Sequence, residues 1–173
     1  MTTRPVLLIP GIYNSGPTHW QSLWQTRHAG VARVEQADWD HPVCGTWVRA
    51  LDDAIAALPQ PPILVAHSLG CLVAVHWAAR HHRAVHALLL VAVPDPSGPN
   101  FPADARGFAP LPAALPALPT LPPKTRRVLM SSTTDPYSTP DFSAQCASAW
   151  NAKPVVLGAR GHLNADSGLG DWP

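Results

Sequence analysis

Short, wholly apolar runs recur along the chain at Val6 to Ile9, Ile63 to Ala66, Ala87 to Val93, Val128 to Met130 and Val155 to Leu157, with a weaker one from Ala32 to Glu35. Runs without polar alternation predict strands buried on both faces. Between them lie stretches of helical period: Pro17 to His28, with Trp20 and Trp24 four apart, then Thr46 to Leu58, Leu69 to His82 and Asp141 to Trp150, with Asp141 as the cap of the last. Strand and helix therefore alternate. Parallel neighbours need crossover connections, and crossovers place helices on the sheet, so the pattern predicts an α/β fold, doubly wound, with a mostly parallel sheet of five to six strands.

One stretch breaks the rhythm. Residues 93 to 124, "VPDPSGPNFPADARGFAPLPAALPALPTLPPK", carry prolines too dense for a helix or a central strand. A loop of that length in a compact domain is usually a lid or binding wall, or else a spacer. Its leucines and phenylalanines are expected to fold back onto the domain, forming a loop or minimal lid at about 94 to 124, although a Leu-Pro ligand of polyproline type is the alternative. With 173 residues, the chain is the size of one domain, taken as 1 to 173.

Charge narrows the function. Twelve Lys and Arg stand against eleven Asp and Glu with no basic run, which argues against nucleic acid. Cys44, Cys71 and Cys146 are scattered, odd in number and without metal-ligand spacing, so they read as reduced, packed thiols rather than as disulfides or a zinc site. The opening "MTTRPVLLIPG" holds an apolar run too short for a signal peptide or a membrane span, so a cytoplasmic protein is expected.

Chemistry enters at "LVAHSLGCL", where a strand runs into a helix through Ala-His-Ser-Leu-Gly. In a small-x-Ser-x-Gly turn the chain bends so sharply that the serine projects from the end of the sheet. Ala66 stands where glycine is usual, but it is still small. The bend also aims the amide of Leu69 and the positive end of the following helix at an oxyanion forming on Ser68. Ser68 could instead simply cap the helix, since serine is a preferred N-cap residue. His67 is adjacent, but neighbouring side chains at such a turn point in different directions, so it is read as structural.

A serine nucleophile needs a base and an acid, in the chain order serine, acid, histidine. His76, His81 and His82 travel away with the helix, and His86 opens a strand at the wrong end of the sheet. His162, on the glycine-flanked loop "LGARGHLNADSGLG", can reach over the sheet edge. Among the acids, Asp135 in "SSTTDPYS" follows a strand and leaves the same edge. Asp95 in "VAVPDP" is the runner-up, and a plain turn at Asp135-Pro136 is the alternative to an acid. A second oxyanion donor is expected from "LIPGIYNSGPTHW", at the amide of Ile12 or else of Tyr13. Trp20, Trp39 and Trp47 could line a pocket, but large aromatics at helical spacing more often fill a core.

Taken together, "LIPGIYNSGPTHWQ", "VEQADWDHPVCGTWV", "LVAHSLGCL", "SSTTDPYS" and "LGARGHLNADSGLGDWP" resemble the small serine hydrolases of the α/β-hydrolase fold related to retinoblastoma-binding protein nine. The resemblance spans almost the whole chain; the Ala- and Pro-rich insert near Leu111 to Pro123 is the main departure. It implies a triad of Ser68, Asp135 and His162, no cofactor and no metal, and hydrolysis of an ester or related acyl bond. The expected partner is a small-molecule acyl substrate, with no nucleic acid and no membrane, the chain acting as a monomer or weak homodimer. Two alternatives use the same fold: an aminopeptidase or amidase with the same triad, and a non-catalytic interaction module docking through the Pro-rich segment.

Overall fold

The apolar runs form strands β1 (Val6–Ile9), β2 (Val31–Arg33), β3 (Ile63–His67), β4 (Ala87–Val91), β5 (Arg126–Ser131) and β6 (Lys153–Val156), and the periodic stretches form helices α1 (Trp20–Arg27), α2 (Cys44–Ala56), α3 (Leu69–Arg80) and α4 (Pro140–Ala149). This computed structural model describes residues 4–81, 83–115 and 126–172. All strand pairings are parallel, in the order β2-β1-β3-β4-β5-β6. The expected doubly wound α/β architecture is present, with six strands.

Side-chain alternation explains why the strands are apolar throughout. Leu7, Ile9, Leu64, Ala66, Leu88, Leu90 and Leu129 face one layer, where they pack with α2, α3 and α4. Leu8, Val65, Val91 and Met130 face the other, against Trp20 and Trp24 of α1 and the C-terminal residues Leu163, Leu169 and Trp172. A strand covered on both sides has no polar face to show. Cys44, Cys71 and Cys146 are free and buried, and burial pushes the Cys146 thiol up to about 12.

Several boundaries differ from the sequence expectation, each for a local reason. Helix α1 begins at Trp20 rather than Pro17, because His19 in extended backbone caps it, its Nδ1 accepting from the Gln21 amide at 3.2 Å. Helix α2 starts earlier, at Cys44, and α3 stops at Arg80, where His81 turns to extended backbone; His82 lies outside the described residues. In α4 the cap is Thr139, not Asp141: its hydroxyl accepts from the Phe142 amide at 3.1 Å, Pro140 follows, and Asp141 sits in the first turn. Strand β4 ends at Val91 because Ala92 takes a positive φ of 56°. Strands β2 and β6 lie at the two edges and are only partly covered, so β6 starts at Lys153 and Pro154, which carry no apolar signal.

The stretch from Ala92 to Leu115 is mainly loop, as its prolines require, and Phe108 and Leu115 fold back into the core at 1% and 8% exposure. It is pinned at Arg106, whose carbonyl accepts from the Cys44 amide and whose amide donates to Pro42. The remainder of the expected loop, 116–125, lies outside the described residues.

Order within the sheet positions the site. The chain runs outward from β1 to β2, then reverses across β1 to β3, so the loops leaving β1 and β3 diverge over the carboxyl edge. In open α/β sheets a ligand crevice forms at such a reversal. Trp20 and Trp47, each 1% exposed, and the partly buried Trp39 are core residues, and none of them lines the cavity described next.

Candidate active site

Ser68 follows β3 with φ 54° and ψ −127°, a strained backbone for a non-glycine residue. Two glycines make the bend possible. A Cβ on Gly70 would lie 2.1 Å from the carbonyl oxygen of Ile9 and 2.6 Å from that of Pro10, so only a bare glycine lets α3 start against the end of β1. A Cβ on Gly11 would lie 2.9 Å from the Cβ of Ser68. The loop after β1 therefore passes directly over the serine.

The Ser68 side chain makes no helix-capping bond. Its Oγ lies 2.7 Å from Nε2 of His162, 94 residues away in sequence. Nδ1 of His162 is 2.9 and 3.0 Å from the two oxygens of Asp135. A carboxylate only accepts, so Nδ1 carries the ring proton and the bare Nε2 accepts from the serine hydroxyl. The Asp135 side chain is 2% exposed and that of His162 is 10% exposed.

Paired loops hold this arrangement. The hydroxyl of Ser132 accepts from the amides of Thr134 and Arg160, and the hydroxyl of Thr134 accepts from the Gly161 amide at 3.0 Å. Thus the polar run before Asp135 clasps the glycine-rich run before His162, which gives both motifs their composition. The backbone amide of Tyr137 donates to Asp135 at 2.9 Å. Asp95, the other acid considered, is committed elsewhere: its Oδ1 accepts from the Ser97 amide in a turn after β4, and it makes no bond to His162.

Above Ser68 opens a cavity of about 300 Å³. Ile12 and Leu69 both line it, and neither backbone amide has a hydrogen-bond partner among the described residues. Tyr13 differs, because its amide donates to the Trp39 carbonyl at 3.0 Å and is thereby occupied. Tyr13, Phe101 and Tyr137 supply aromatic walls, and the expected lid contributes Pro94, Phe101 and Pro102.

Two supporting residues escaped the sequence reading, and for a third, His67, read there as structural, the structure supplies the partner. Gln21, fully buried, donates to the Val65 carbonyl at 3.1 Å and accepts from Ser15, tying the first loop to β3. Arg33 donates to the side chain of Asn14, the carbonyl of Ser15 and the hydroxyl of Ser22, and so fixes the same loop. His67 makes no bond to Ser68; its Nε2 instead donates to the backbone carbonyl of His162 at 3.0 Å and steadies the loop that carries His162. The only sequence signal for these was an uncommon polar residue within an apolar neighbourhood.

His19 and His67 contact each other, ring centroids 4.7 Å apart. Burial, with smaller repulsion from neighbouring cationic groups, lowers His19 to about 4 and holds His67 well below the usual histidine range. Since the unfolded chain binds protons at these rings near pH 6.5 and the folded chain does not, stability is complete above that pH and lost as pH falls toward 4. For His19 alone the loss amounts to about 3 kcal/mol. Thermal midpoints measured from pH 7.5 to 4.5 should fall through this window, and a His19→Asn variant, which retains a capping oxygen, should show the shallower fall. Parallel curves for the two proteins would refute the assignment.

Residues 6–173 match the family model described as serine hydrolase. The chain belongs to the serine hydrolase family. Among solved structures it is similar to a YdeN-like hydrolase from Pectobacterium atrosepticum, at 27% identity and TM-score 0.82 over 98% of this chain and 85% of that one. The ydeN gene product of B. subtilis matches at 20% identity and TM-score 0.75 over 96% and 91% of the two chains, and mouse alpha/beta hydrolase domain-containing protein 10 at 15% and 0.64 over 93% and 82%. These two show the shared fold. No curated protein matches the chain. Among the described residues no helix is long and apolar enough to cross a membrane.

Proposed function

We propose that this member of the serine hydrolase family cleaves an ester or related acyl bond of a small neutral substrate through a catalytic triad of Ser68, His162 and Asp135. The observation that carries the reading is the unbroken hydrogen-bonded chain from Ser68 Oγ through His162 to Asp135 at the floor of the cavity.

His162 Nε2 takes the hydroxyl proton as Ser68 Oγ attacks the acyl carbon, and Asp135 holds the tautomer and stabilises the imidazolium. The carbonyl electrons move onto oxygen, and the free amides of Ile12 and Leu69 donate hydrogen bonds to the resulting oxyanion. Collapse expels the alcohol, which leaves with the proton from His162, and the acyl group remains on Ser68. Water then repeats the sequence, giving up a proton to His162 and releasing the acid. No step calls for a cofactor.

No Asp, Glu, Lys or Arg lines the cavity among the described residues. An aminopeptidase would need an anion there to hold a substrate ammonium, so uncharged esters are the favoured substrates over aminoacyl amides. The five motifs also support placing the chain beside retinoblastoma-binding protein nine within the family.

Labelling tests the reading. A fluorophosphonate probe should attach to the folded protein stoichiometrically, and peptide mass spectrometry should place the adduct on Ser68. Failure to label, or a label on another serine, overturns the proposal and favours a non-catalytic interaction module.

A further inference from the structure

The cavity holds more hydrogen-bond donors than acyl transfer uses. The amides of Ile12 and Leu69 are assigned to the oxyanion. Asn14 and His19 also line the cavity, on the wall formed by the loop after β1.

Asn14 has only one possible orientation. Its Oδ1 is 2.6 Å from Arg33 and 2.7 Å from the amide of Ser15. Both partners are donors, so the carboxamide oxygen must face them and the NH2 must face away. Neither Arg33 nor Ser15 lines the cavity, whereas Asn14 does, and the NH2 has no partner among the described residues. The backbone of Asn14 holds a φ of 63°, a conformation that asparagine tolerates better than most residues. His19 is not a second donor: its Nδ1 accepts from the Gln21 amide, so the neutral ring carries its proton on Nε2, and that nitrogen is buried out of reach of a bound group.

We propose that Asn14 Nδ2 is a specificity-determining donor that binds an uncharged oxygen acceptor on the substrate close to the scissile carbonyl. The substrate class is thereby an ester bearing a second oxygen, an ether, hydroxyl or carbonyl, rather than a plain alkyl ester. This inference rests on the hydrolase reading above and deepens it.

Matched ester pairs test it, in which one methylene is replaced by oxygen: p-nitrophenyl butyrate against p-nitrophenyl methoxyacetate on the acyl side, and butyl acetate against 2-methoxyethyl acetate on the alcohol side. Each kcat/KM ratio is divided by the ratio for hydroxide hydrolysis, which removes intrinsic reactivity. In the wild type at least one pair should favour the oxygen-bearing ester by roughly fivefold to tenfold, the range of a single hydrogen bond between neutral groups. That preference should collapse to about one in Asn14→Gly, which suits the positive φ, and in Asn14→Asp, which keeps the bonds to Arg33 and Ser15 but replaces the donor with an acceptor. The Asp variant covers the case in which the Gly variant loosens the loop. Wild-type ratios equal to those of hydroxide for both pairs, or a preference that both variants retain, would overturn the inference while leaving the hydrolase reading standing. No turnover of any of the four esters, together with no fluorophosphonate adduct, would overturn both.

Discussion

Replacing Ser68 with alanine should lower kcat on a small ester by about 10⁶-fold while leaving the thermal midpoint nearly unchanged. Only the Oγ is removed, and its one hydrogen bond runs to His162. The residues act as a unit, so His162→Ala should cost about as much, and the double variant no more than either single one. Asp135→Asn should cost less, about 10⁴-fold, because the ring remains in place but its preferred tautomer is reversed. What persists in all variants is the contribution of the cavity and the Ile12 and Leu69 amides. A Ser68→Ala protein that keeps more than a tenth of the wild-type rate would remove Ser68 from the chemistry.

The second large effect is on folding. Gly70→Ala should lower stability by at least about 4 kcal/mol, a drop in thermal midpoint of roughly 10 °C or more for a chain of this size. The reason is that the added carbon meets carbonyl oxygens of Ile9 and Pro10, main-chain atoms at the end of a central strand, rather than a side chain that could turn aside. Relief requires α3 to withdraw from β1, which also tips Ser68 away from His162. Activity should therefore fall with stability. The control is Gly45→Ala in the exposed first turn of α2, where an added Cβ meets nothing within 4 Å; it should be close to neutral. Equal midpoints for the two variants, measured by thermal denaturation, would show that the close approach at Gly70 is not needed.

Much of the fold was legible because the central strands β1, β3 and β4 are covered on both faces and hence apolar without interruption. The edge strands β2 and β6 were harder to bound, since a strand covered on one side and open at its rim can begin at Lys153 and Pro154. The proximity of Ser68, Asp135 and His162 could be anticipated because each follows a strand of a parallel sheet, and such loops share one edge. Asn14, His19, Gln21, Arg33 and His67 could not, because their partners are set by side-chain packing across the chain reversal, and no local pattern encodes which polar group meets which. The cap at Thr139 shows the smaller version of this difficulty: Thr139 and Asp141 flank Pro140, both can cap, and only the position of the first helical turn decides between them.

Trp20 and Trp24, four apart on α1, do more than fill the core. The indole N–H of Trp20 donates to the carbonyl of Leu163 at 2.9 Å, and that of Trp24 to the carbonyl of Asp171 at 2.8 Å. The first helix thus latches the tail that carries the imidazole, while His67 grips the same tail from beneath. On the proposed mechanism, a brief peeling of this tail would part His162 from Ser68 with the sheet still whole, so two indoles set back from the cavity would govern how long the hydroxyl stays armed.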